Sequence, residues 1–77
     1  MNVTESIKRV FAAELPEVLV SVENSHIIEV EVPEGVATKS SFAIAKELID
    51  QLADGLMVEF KQINRRVLSA TILPILS

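Results

Sequence analysis

Twice along this chain the spacing of apolar residues changes from intervals of three and four to every second position, and few folds satisfy that pattern. Val3, Ile7, Val10, Phe11 and Leu15 share one face of a helix, with Lys8, Arg9 and Glu14 off it. From Val18 to Val32 the period is two: Val18, Val20 and Val22 fall on one face of a strand, and Ile28, Val30 and Val32 on the matching face of a second. The helical spacing returns with Phe42, Ala45, Leu48, Ile49 and Leu52, flanked by Ile44 and opposed by Lys46, Glu47, Asp50, Gln51 and Asp54. Leu56, Val58 and Phe60 then alternate with Met57, Glu59 and Lys61, and Leu68, Ala70 and Ile72 follow in a last run. The order α-β-β-α-β-β predicts an α+β fold: a four-stranded, mainly antiparallel sheet packed by two helices on one face. A chain of 77 residues has room for one core, so residues 1–77 read as a single small domain.

Turn chemistry sets the boundaries. Asn2 and Glu5 have the spacing of a capping box at the start of the first helix, with Thr4 as the alternative cap, and Pro16 ends that helix near Glu14. Placing Val22 opposite Ile28 and Val20 opposite Val30 requires partners whose numbers sum to fifty. A three-residue loop of Asn24, Ser25 and His26 remains, with Asn24 suited to a left-handed conformation. In the second hairpin, opposing Phe60 to Leu68 and Val58 to Ala70 leaves Ile63, Asn64 and Arg65 as the loop. Pro33, Glu34 and Gly35 start the crossing segment, Thr38 or Ser40 offers a hydroxyl cap for the second helix, and Gly55 a left-handed stop. The two helix-plus-hairpin halves stand about forty residues apart, with Asn24 and Asn64 in equivalent loops, as in a weak internal repeat.

Composition bears on function mostly by exclusion. Apolar residues form 49% of the chain and mean hydropathy is +0.41, the opposite of a disordered composition. With no cysteine and one histidine, neither a disulfide framework, a zinc site nor a nucleophilic triad is expected. His26 reads as an exposed turn residue. Only Gly35 and Gly55 are glycines, so phosphate-binding loops and dinucleotide fingerprints are missing. No catalytic set and no cofactor are therefore expected. The longest uncharged stretch, Val67 to Ser77, has eleven residues, against roughly 20 needed to span a bilayer. With no signal-peptide pattern in Met1 to Val10, the expectation is a cytoplasmic protein with no membrane partner.

Three clusters remain as candidate sites. Glu23, Glu29 and Glu31 project from one face of the first hairpin as an acidic docking surface. Lys61, Arg65 and Arg66 gather near the second loop, where their donors suit phosphate or carboxylate. The chain is acidic, with a net charge of −4 and a pI near 4.8, and has neither Tyr nor Trp for stacking bases. A nucleic-acid-binding regulator is therefore the second reading. Val67, Leu73, Ile75 and Leu76 are apolar beyond what the inner sheet face needs and mark a self-association surface, with Pro74 at an edge or at the end of pairing. A domain this small commonly relies on a partner. The leading expectation is a non-catalytic protein-binding module, acting as a homodimer in the role of a regulator, inhibitor or assembly factor.

Overall fold

The computed structural model describes residues 3–74. Elements α1 (Val3–Glu14), β1 (Leu19–Val22), β2 (Ile27–Glu31), α2 (Thr38–Leu52), β3 (Leu56–Asn64) and β4 (Val67–Pro74) follow in the expected order. The expected cap at Asn2 lies outside the described residues. Leu15 N–H still donates to Phe11 C=O at 2.8 Å, after which Pro16 has no N–H to offer and Val18 N–H bonds Leu15 C=O at 3.1 Å, turning the chain into β1. Ile7 and Phe11 are buried, and so is Thr4, which the apolar spacing does not reveal.

Helix α2 departs from expectation at both ends. It starts at Thr38, so the expected hydroxyl caps are already inside it; the N-cap position is Ala37, extended at φ −66° and ψ 113°, with no side-chain bond. Ser40 Oγ instead donates back to Ala37 C=O at 3.5 Å. The preceding residues are used up by a turn in which Val36 N–H bonds Pro33 C=O at 3.3 Å and Gly35 takes φ +87°. At the other end the C-cap is Ala53. Gly55 is left-handed, at φ +85°, but as the third residue of a separate turn closed by Leu56 N–H to Ala53 C=O at 2.9 Å.

The first hairpin has the expected register, Val20 opposite Val30 and Val22 opposite Ile28. Its loop works differently: no non-glycine residue described here has positive φ. Asn24 contributes its side chain, whose Oδ1 accepts N–H of His26 at 2.7 Å and of Ile27 at 3.1 Å. The second hairpin is displaced by two residues from the expected pairing. Phe60 faces Ala70 and Val58 faces Ile72, and the ladder runs through Gln62 opposite Leu68 to a bulge between Gln62 and Asn64. The turn is thereby shortened to Arg65 and Arg66, with Asn64 Oδ1 accepting Arg66 N–H at 2.9 Å. A shift of two preserves the face of every side chain, so the assignment of inner and outer residues stands.

The strand order is β1-β2-β4-β3 and every neighbouring pair is antiparallel. Chain connection β2–α2–β3 passes over one position, and β4 returns to fill it. From Val67 to Thr71 β4 is thus an inner strand paired on both sides, whereas Leu73 and Pro74 pair with β3 alone, and Pro74 stands at the end of pairing, opposite Leu56. Ile28, Val30, Leu68, Ala70 and Ile72 line the inner sheet face, where Ile7 and Phe11 of α1 and Phe42, Ala45 and Ile49 of α2 close one core over it. Both helices lie on that face.

The weak repeat has a structural counterpart. Partners in the first hairpin sum to fifty and those in the second to one hundred and thirty, which is the same register moved forty residues at each partner. Strands β2 and β4 pair about Glu29 opposite Ser69, again an offset of forty. Ile72 N–H bonds His26 C=O at 2.7 Å, and its counterpart is Val32 N–H to Arg66 C=O at 2.8 Å. An approximate two-fold axis therefore passes through the sheet between β2 and β4.

Candidate interaction face

With both helices on the inner side, no layer covers the outer side of the sheet among the described residues. Alternation decides its composition. Residues between the core positions project outward: Leu19 and Ser21 on β1, Ile27, Glu29 and Glu31 on β2, Val67, Ser69, Thr71 and Leu73 on β4, and Met57, Glu59 and Lys61 on β3. The registers arrange them in rows. Ser21, Glu29, Ser69 and Lys61 form a polar band across the middle. At one end Ile27, Thr71, Leu73 and Met57 adjoin; at the other Leu19, Glu31 and Val67 do. Leu19 is 56% exposed and Met57 48%.

The expected site residues fall into three places. Glu29 and Glu31 project to one side of β2, whereas Glu23 lies beyond β1 at the turn, where its N–H bonds Ile27 C=O at 2.9 Å. Glu31 lies at the opposite end, where it joins Glu34, Asn64, Arg65, Arg66 and Val67 around a shallow depression of about 570 Å³. Charges of both signs meet there. Lys61 is separate from it, in the polar band opposite Ser69.

Arg66 is engaged within the fold. Its Nη1 donates to Pro33 C=O at 2.9 Å and to Val32 C=O at 3.3 Å in a partly buried setting. The second turn is thus tied to the segment leaving β2, and the three cations do not converge on one surface. Val67 is half-buried and Leu73 exposed on the outer face, while Ile75 and Leu76 lie outside the described residues.

The apolar contribution of Leu19, Ile27 and Met57 to this face was missed as a site, although the alternation itself assigns them to the outer side. Ile44, expected at the flank of the buried stripe of α2, is 45% exposed. Lys46 stands over the Phe60 ring, Nζ 5.8 Å from its centroid, tying α2 to the outer strand β3. Among the described residues no group of three or more metal-ligating side chains is assembled, and no helix is long and apolar enough to cross a membrane. No known protein family, curated protein or solved structure matches this chain.

Proposed function

We propose that the chain is a non-catalytic protein-binding module that works as a homodimer and receives a protein partner on the helix-free face of its sheet, as a regulator, inhibitor or assembly factor. The observation that carries this reading is the uncovered outer face, where apolar Leu19, Ile27, Met57, Val67 and Leu73 border a polar band of Ser21, Glu29, Ser69 and Lys61. Two apolar patches on either side of a polar band suit a protein contact, the former excluding water and the latter fixing orientation. Val67 and Leu73 belong to this face, so they join the partner-binding surface by packing; Val67 is paired on both sides within the sheet, and Leu73 with β3 alone.

Affinity capture tests the reading. Wild-type protein and an Ile44→Lys control, altered on the outer side of α2, should retain the same protein partner, while Ile27→Lys combined with Leu73→Lys should release it with its circular dichroism unchanged. Equal retention by all three would remove the outer face from the function.

A further inference from the structure

Strand β3 is an outer strand of nine residues, Leu56–Asn64. It pairs with β4 on one side only, so along the other side alternate N–H and C=O groups point away from the sheet. The other outer strand, β1, has four residues and packs beside α1. Edges of this length are ordinarily blunted by proline, by a central bulge or by charged side chains; β3 has no proline, its bulge lies at the far end, between Gln62 and Asn64, and its two charges, Glu59 and Lys61, are of opposite sign and can therefore be matched by a second copy.

We propose that β3 pairs antiparallel with β3 of a second copy of this chain about a two-fold axis at Phe60, making one continuous eight-stranded sheet. The inference deepens the homodimeric part of the function proposed above and rests on it. Centring on Phe60 places Glu59 opposite Lys61 of the second copy and Lys61 opposite its Glu59, two complementary pairs from one register. Within the chain these side chains face only Thr71 and Ser69 across the ladder, so neither finds a counter-charge on β4. The regular pairing then runs from Val58 to Gln62 of each copy and stops short of the bulge at Ile63. Neighbouring registers fail on charge: centring on Glu59 opposes it to itself, and centring on Lys61 does likewise, an arrangement that is destabilising in a ladder. Opposed residues differ by an even number in any such register, so both copies keep their helices on one side and their outer faces on the other. The partner-binding face is thereby doubled without being covered.

Sedimentation across a concentration series tests the register through a charge swap. Wild type should dimerise; Glu59→Lys and Lys61→Glu should each weaken the dimer roughly tenfold or more, because every complementary pair becomes a like-charge pair. Part of that loss should return at high salt. The double variant Glu59→Lys with Lys61→Glu restores both pairs and should dimerise as wild type does. Both positions are exposed, and circular dichroism verifies that each variant is folded. Single variants as dimeric as wild type, or a double variant that stays monomeric, would overturn the β3 register while leaving a homodimer in place. A wild type that is monomeric at every concentration would overturn the homodimer as well.

Discussion

Arg66 gathers four hydrogen bonds at one position. Its N–H donates to Asn64 Oδ1, its C=O accepts from Val32 N–H, and its guanidinium reaches the carbonyls of Val32 and Pro33. The side-chain pair is partly buried and charge-assisted, so Arg66→Ala should destabilise the protein by about 1–3 kcal/mol. Arg65 is exposed at the same turn, and Arg65→Ala should stay within about 0.5 kcal/mol of wild type. Urea melts of the two variants separate the roles; equal losses would show that the guanidinium does not hold the turn. Sequence reading placed both arginines together as docking cations because the carbonyls that engage Arg66 come from more than thirty residues away. Asn24 is the reverse case. Its place in the loop was legible, yet its contribution comes through Oδ1 and not through a left-handed backbone.

Helix α2 begins without electrostatic or side-chain help: Ala37 provides no cap, and its first turn has no acidic residue but does contain Lys39, whose charge opposes the helix dipole. The extended backbone at Ala37 already suits a capping side chain. Ala37→Asp should therefore stabilise the protein by about 1 kcal/mol, raising its melting temperature by roughly 4–8 °C for a domain of this size. An unchanged or lower value in a thermal melt would show that the first N–H groups of α2 are satisfied otherwise. At this scale much was legible. Alternation gave all four strands and both faces, because a buried face demands period two whatever the register. The pairing of β3 with β4 was misread by two residues because a bulge at Gln62–Asn64 absorbs one residue and shortens the turn, and periodicity carries no mark of a bulge. The forty-residue repeat did carry the right answer, since applying its offset to the first register yields the second.

Across the whole molecule, the pairing of β2 with β4 decides the architecture, and it left no local trace in the sequence. Ile28 meets Ala70 and Val30 meets Leu68, residues about forty apart in the chain whose union no turn enforces. Strand order was illegible for that reason, while the two-helices-on-one-face arrangement followed from composition of the faces alone. The inner position of β4 has a consequence in time. Strands β2 and β3 end up two strand widths apart, roughly 10 Å, so β3 has no strand to pair with until β4 lies between them. Of the thirteen buried apolar core residues among those described, Leu68, Ala70 and Ile72 are carried by β4 and sit between the helices and the sheet centre, so the core stays incomplete without that strand. A fragment of residues 1–64 should accordingly show no cooperative melt, and adding a peptide of residues 65–77 should restore the strand signal in circular dichroism; a fragment that melts cooperatively alone would refute this order. A chain that reaches only Asn64 thus lacks the strand through which the two hairpins are joined, and its two halves have no ladder between them.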